Sequence, residues 1–428
     1  MSLKQHLHLA KWALLEFLTT PITQALITPI ILGIIGYQEF GLWVFATSIL
    51  ALGAIVSMGL SSSTTKYISE AGTEADRAKV AQTSIGAIAL IGMTLLPVII
   101  AITIILANIW PQIFSRLGPT NTVATIIVVS AMSTFIQELD YVLSAVFRGC
   151  GDYKYSAQLE IMLRPVIAIA LIIVAAISPT ASSLTLSYLI LILGKVLIKV
   201  VALKSKIKKF VVFGGHIKLE KFRGLMNFGF WSWIQTIGGL SMSVADKLLV
   251  GFFFGASDLA RYGICTQLAQ FAHAIPAAGL QVLFPWISRS VAQHNTPNPK
   301  QLKRLSILTA LITIPLTIML YLAAPFVLEY WIGAEFSLIN AEMARILIII
   351  YGLLALTAGT YFLLMGMGDV RAVGMIAFSA GIVTLILSML LMNFGLIDFA
   401  MAKFAYPAIV SLLFPRLFNL RRRRVGNE

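Results

Sequence analysis

Residues 83–107 read TSIGAIALIGMTLLPVIIAITIILA, twenty-five positions without one charged side chain. At 1.5 Å per residue that run makes a helix of about 37 Å, enough to cross the roughly 30 Å of bilayer hydrocarbon. Only helices or closed barrels satisfy every backbone N–H and C=O away from water, and a barrel strand would alternate apolar with polar positions. This run does not alternate, so it predicts a membrane-spanning helix.

Eleven further apolar runs have the same character, at 12–36, 40–60, 123–147, 156–178, 181–203, 225–254, 262–291, 302–324, 342–366, 370–392 and 396–418. Composition agrees: 58% of residues are hydrophobic and 12% charged, against about a quarter charged in soluble domains. About twelve helices are therefore expected. The formal net charge of +14 is confined to loops at the ends of the runs, where topology and anionic headgroups account for it better than nucleic acid does.

Shifting the chain by 219 positions lays Trp12, Gly36, Trp43, Thr47, Tyr67, Ile68 and Ser69 on Trp231, Gly255, Tyr262, Thr266, Trp286, Ile287 and Ser288. A shift of 217 lays Gly149-Cys150-Gly151-Asp152-Tyr153-Lys154 on Gly366-Met367-Gly368-Asp369-Val370-Arg371. The ordered set implies duplication. The expected fold is an all-α integral membrane protein of about 12 transmembrane helices, arranged as two pseudo-symmetric six-helix bundles around a central polar cleft. Its parts are an N-terminal lobe over 1–203, a basic linker over 204–223 and a C-terminal lobe with a basic tail over 224–428. An even number of helices per lobe gives parallel rather than inverted repeats.

Orientation follows from Lys and Arg, which cytoplasmic loops retain. With the N-terminus inside, only Arg116, Arg261 and Arg345 of the 32 basic residues fall at outer ends. Both termini are then cytoplasmic, with Lys204 to Arg223 in the linker and Arg421 to Arg424 in the tail.

No phosphate-binding G-x-x-x-x-G-K-[ST] loop, no H-E-x-x-H and no Cys/His metal spacing occurs, so neither cofactor nor metal is implied. Gly149-Cys150-Gly151-Asp152 matches the G-x-G-D of intramembrane aspartyl proteases, but the same arrangement recurs at Gly366 to Asp369. A tight turn whose Asp caps the next helix is the plainer reading. With no large outer loop to carry acid and base groups, no enzyme is expected.

Polar residues line up where lipid would penalise them. The fourth run carries Ser130, Ser133, Thr134, Gln137, Tyr141, Ser144 and Arg148 at spacings of three and four, hence on one face. The first aligns Trp12, Glu16, Thr19, Thr20 and Thr23, the seventh Asn227, Trp231, Gln235 and Asp246, and the eighth Tyr262, Thr266, Gln270, His273 and Gln281. Hydroxyls and amides commonly join helices to one another. Ionisable groups ask for more, because a charge at mid-bilayer costs roughly 3 kcal/mol on insertion scales. Glu16, Glu138, Asp140, Arg164, Asp246, Lys247 and Lys403 are thus expected in a wet cavity or beside a partner. Arg164 would pair with Glu138 or Asp140, and Asp246 and Lys247 would lie toward the outer interface.

The stretch Ile31-Leu32-Gly33-Ile34-Ile35-Gly36-Tyr37-Gln38-Glu39-Phe40-Gly41-Leu42-Trp43 and the later Ser57-Met58-Gly59-Leu60-Ser61-Ser62-Ser63-Thr64-Thr65-Lys66-Tyr67-Ile68 resemble bacterial polysaccharide-biosynthesis flippases. These form the O-antigen flippase branch of the multidrug/oligosaccharidyl-lipid/polysaccharide exporter superfamily. Ala245-Asp246-Lys247-Leu248-Leu249-Val250-Gly251 is similar to that family's Asp-Arg segment, with Lys for Arg. The resemblance implies flipping of undecaprenyl-pyrophosphate-linked oligosaccharide, such as an O-antigen repeat unit, across the bacterial inner membrane by alternating access. It admits a glycan polymerase or other assembly proteins as partners. A multidrug exporter of the same superfamily, coupled to H+ or Na+, is the alternative.

For the flippase, Arg148, Arg164, Lys247 and Lys403 are the candidates for meeting phosphates, with Gln137, Tyr141, Trp12, Trp231 and Gln270 along the path. Glu16, Glu138, Asp140 and Asp246 are the candidates for coupling. Arg148 leads the first group because it sits on the polar face near the inner mouth.

Overall fold

The computed structural model describes residues 3–57, 59–206, 230–231, 233–280 and 299–417, and every regular element among them is helical. The basic linker beyond Lys206, Asn227, Gln281, Trp286 to Ser288 and Arg421 to Arg424 lie outside the described residues. The chain divides into two compact units, Met1–Trp233 with Lys247–Ala260, and Ile234–Asp246 with Arg261–Glu428.

In the first unit α1 (Leu3–Ala51) is broken at Gly36, whose φ of 75° and ψ of 171° belong to a region only glycine visits readily. The break has a length argument behind it. The apolar stretch Leu18–Ile55 is 38 residues, about 57 Å as one rod and nearly two bilayer crossings. Two expected runs, 12–36 and 40–60, therefore share one bent helix.

Two short helices follow, α2 (Gly53–Val56) and α3 (Leu60–Glu70). They end the second run without adding a span. Thr73 caps α4 (Glu74–Ile109), its hydroxyl accepting from the Asp76 N–H at 3.1 Å, and Glu74 and Asp76 place negative charge at the positive end of the helix. Farther along, α4 exposes Leu90, Met93, Ile102 and Ile109, as lipid-facing positions should be. The unit is completed by α5 (Thr120–Gly149), α6 (Tyr153–Ile177) and α7 (Ala181–Lys206). Packed against α1, α3, α4 and α7, α5 forms its centre.

A π-helical turn, Ser241–Ala245, leads into α8 (Asp246–Phe254), which from Lys247 onward belongs to the first unit. The second unit continues with α9 (Ala256–Leu280), which belongs to it from Arg261 onward, α10 (Pro299–Trp331), α11 (Ala334–Gly366) and α12 (Val370–Leu391). Its last elements are α13 (Leu396–Met401), a 3-10 turn at Ala402–Phe404 and α14 (Ala405–Val410). Here α11 is the buried element, with Leu347, Ile348, Ile350 and Ala355 fully enclosed.

Ten of the described helices are long and apolar enough to cross a membrane. Two features separate ten from the expected twelve. One helix carries both runs about Gly36, while α9 has the length but not the apolar composition, since Asp258, Arg261, Gln267, Gln270 and His273 lie along it.

The duplication is visible in the backbone. Gly151 and Gly368 have φ of 89° and 83°, and the next residues, Asp152 and Asp369, have φ/ψ of −85°/44° and −83°/44°. Each turn closes with the Asp N–H on the carbonyl five residues back, Phe147 and Leu364, at 3.0 Å. The expected capping is corrected: both Asp residues occupy the N-cap position, yet neither side chain caps. That of Asp369 is held instead by Arg416 at 2.8 and 3.3 Å.

Candidate functional site

Three helices of the first unit each present charged or polar groups one turn apart: Asp140 and Ser144 on α5, Glu160 and Arg164 on α6, Lys195 and Lys199 on α7. A four-residue step returns a helix to nearly the same face, so each pair points one way and the three faces meet. Lys195 Nζ lies 2.8 Å from Asp140 Oδ2 and 2.9 Å from Glu160 Oε2. Lys199 Nζ lies 2.5 Å from Asp140 Oδ1 and 2.5 Å from Glu160 Oε1, and donates to Ser144 Oγ at 2.6 Å. All four charged groups are buried. Two acids and two lysines cancel, which is what makes such burial tolerable.

Arg164 extends this array toward α1. Its Nε sits 2.9 Å from Glu160 Oε2, and its Nη1 donates to the Glu16 carbonyl at 2.9 Å and to Thr20 Oγ1 at 2.5 Å. Glu16 in turn binds Arg148. Beside the array lies a cavity of about 460 Å³, lined by Arg164, Lys195, Glu138, Asp140, Gln137 and Tyr141 together with the rings of Trp43 and Tyr188. Tyr188 donates to Gln137 Oε1 at 3.0 Å, and Gln137 Nε2 donates to the Tyr141 hydroxyl at 2.7 Å. Glu138 forms no ion pair among the described residues and is hydrogen-bonded to Ser57.

Among the described residues the second unit buries one ion pair. Asp246, at the end of the π turn, accepts from Lys403 Nζ at 2.6 Å and from the Tyr262 hydroxyl at 2.8 Å. Lys403 lies in the 3-10 turn, its ammonium 5.4 and 5.2 Å from the ring centroids of Tyr262 and Tyr351. Next to this pair is a second cavity, about 420 Å³, lined by Gln235, Gln270, His273, Tyr351, Tyr361 and Tyr406 among others.

Of the residues singled out from the sequence, Arg164, Gln137, Tyr141, Glu138 and Asp140 share the first cavity. Glu16 and Arg148 join it through Arg164, while Gln270 lines the second cavity. Lys403 and Asp246 pair with each other, and both are buried. Lys247 is half-buried. Trp12 lies under the Lys154 ammonium at 5.6 Å, and Trp231 packs edge-on to Phe230 at 5.3 Å. Neither tryptophan lines either cavity. The expected partner of Arg164 is corrected from Glu138 or Asp140 to Glu160, one helical turn away. Glu160, Lys195, Lys199 and Tyr188 escaped the sequence reading, although the i, i+4 spacing of Glu160 with Arg164 was there to be seen.

Comparison with known proteins assigns the chain a family. The model of the family described as "Polysaccharide biosynthesis protein" matches residues 30–340. A Shigella flexneri protein named as an O-antigen transporter is 27% identical over 140 residues, 32% of this chain and 32% of its own length, so the match spans about a third of that relative. Among solved structures, a multidrug resistance MATE family transporter of the MOP superfamily, facing inward, aligns with a TM-score of 0.73 and 15% identity, covering 97% of this chain and 98% of its own. The lipid II flippase MurJ, in an inward closed conformation, aligns with 0.74 and 15%, covering 96% and 87%. At that identity the two likenesses show the fold.

Proposed function

Because the chain belongs to the polysaccharide biosynthesis protein family, we propose that it moves a lipid-linked glycan precursor across the bacterial cytoplasmic membrane, with both termini on the cytoplasmic side. The observation that carries this reading is the first cavity, where a guanidinium, two amide or phenol groups and two aromatic rings stand among helices of membrane-crossing length.

The chemistry is that of desolvation. Stripping water from a hydroxyl without a replacement hydrogen bond costs on the order of 1–3 kcal/mol in proteins, and an unpaired charge costs more. A polyprenyl-pyrophosphate headgroup carries many of the first and several of the second. Arg164 and Arg148 supply charge-assisted donors suited to phosphate oxygens, Gln137 and Tyr141 exchange hydrogen bonds with hydroxyls, and the Trp43 and Tyr188 rings offer flat apolar faces. The hydrocarbon tail needs no such shelter. The process is transport and makes or breaks no bond in the cargo. A glycan polymerase acting on the delivered unit is the protein partner this reading favours.

The test is flipping by purified protein in liposomes that hold undecaprenyl-pyrophosphate-linked oligosaccharide, read by the fraction reachable by an outside glycosidase. Wild-type protein should move the lipid, and Arg148→Ala should slow it at least about tenfold with the protein still inserted. No movement by wild type overturns the reading, and wild-type movement by Arg148→Ala removes that residue from it. One observation favours a second reading, an exporter of organic cations: Glu138, which stands in the cavity without a cationic partner. In that case rhodamine 6G, and not the lipid, would move.

A further inference from the structure

The two cavities occupy corresponding positions of the duplicated chain. With the 219 shift, Thr20, Thr23, Gln24, Ala51 and Ala54 of the first become Gly239, Met242, Ser243, Gln270 and His273 of the second. With the 217 shift, Gln137, Asp140 and Tyr141 become Leu354, Thr357 and Ala358. Every one of these sixteen residues lines its own cavity. Around them the charges have gone: Glu138, Glu160 and Arg164 correspond to Ala355, Ala377 and Gly381.

The second cavity has not simply decayed to a hydrophobic void. Where the first has Ala51 and Ala54, it has Gln270 and His273, and Tyr351, Tyr361 and Tyr406 reach it from α11 and α14. Gln270 meets the Tyr351 hydroxyl, and the Tyr361 hydroxyl lies 3.3 Å from Gln235 Oε1. Phe362 adds an apolar face. No Asp, Glu, Lys or Arg is among the described residues that line it. A volume near 420 Å³ falls within the range of small-molecule sites, about 300–1,000 Å³.

From this lining we infer that the second unit holds a subsite for uncharged sugar residues, resting on the reading above that the cargo bears a glycan. Amides, phenols and an imidazole both give and accept hydrogen bonds, as hydroxyls require, and aromatic rings cover the apolar face of a pyranose. A phosphate finds no cation among the described residues of these walls. Lys403, paired with Asp246, stands 5.2 Å from the Tyr351 ring centroid, and neither ion lines the cavity.

Equilibrium binding to full-length protein in lipid nanodiscs, free of glycoside detergents, separates the outcomes. The probes are undecaprenyl pyrophosphate and the same lipid carrying the oligosaccharide extracted from the source cells. Gln270→Leu and the milder Tyr361→Phe should each weaken the glycosylated lipid, by about tenfold for Gln270→Leu, and leave bare undecaprenyl pyrophosphate unchanged. Thermal unfolding of both variants confirms that they fold. If both probes bind wild type and neither variant changes their ratio, or both weaken together, the sugar subsite is overturned while the transport reading stands. If wild type binds neither probe, the transport reading fails first. Tighter binding of rhodamine 6G than of the glycosylated lipid, lost in Gln270→Leu, would make the cavity a site for lipophilic cations and overturn the proposal.

Discussion

The first unit holds its deepest charges in a square, Asp140 and Glu160 facing Lys195 and Lys199, whereas the second holds them in a single pair, Asp246 with Lys403. In the square each acid keeps one lysine if the other is lost. In the pair nothing is in reserve. The square also adjoins a cavity that Arg164 and Lys195 line, while the pair stays behind tyrosines. The two units thus solve the burial of charge differently: one by a shared network beside a cavity, the other by a closed lock.

The largest effect should come from the lock. Lys403→Met leaves Asp246 buried without a cation and should destabilise the protein by about 3–5 kcal/mol, read by thermal unfolding in nanodiscs. Adding Asp246→Leu to that variant should restore most of the loss, since an apolar pair of similar volume replaces the ions. Failure of the double variant to recover would show that the charges do more than balance each other. Lys195→Met should cost less, about 1–3 kcal/mol, because Lys199 still touches both acids. Equal losses from Lys195→Met and Lys403→Met would erase the distinction drawn between the two units. The smallest effect on folding belongs to Glu138→Gln, which keeps shape and hydrogen-bonding capacity. Its signature should lie in transport instead, where flipping by the variant ought to lose whatever dependence on a pH gradient the wild-type protein has.

Much of this was legible in the sequence. Runs without charge announced the helices, and Gly151 and Gly368, at matching places, announced two turns whose dihedral angles agree within a few degrees. The polar stripe of α5 gave Gln137 and Tyr141, and the cost of a charge inside an apolar run gave Asp140. Lys195 and Lys199 did not stand out, because lysines toward the end of an apolar run serve equally well as markers of orientation. Which way α7 turns them is decided by packing against α5 and α6, and no local pattern carries that. For the same reason Asp246 and Lys403, 157 residues apart, could not be matched in advance. Asp152 misled for a different reason. Its backbone N–H closes the glycine turn on the Phe147 carbonyl, and its side chain makes no cap hydrogen bond to the helix that follows.

The square has an electrical corollary. Its four formal charges sum to zero and each lysine lies within about 3 Å of both acids, so carrying the whole group through part of the transmembrane voltage would perform almost no net work. It is electrically silent. On the proposed transport reading, any voltage sensitivity enters through the headgroup of the cargo or through a side chain outside that compensated set.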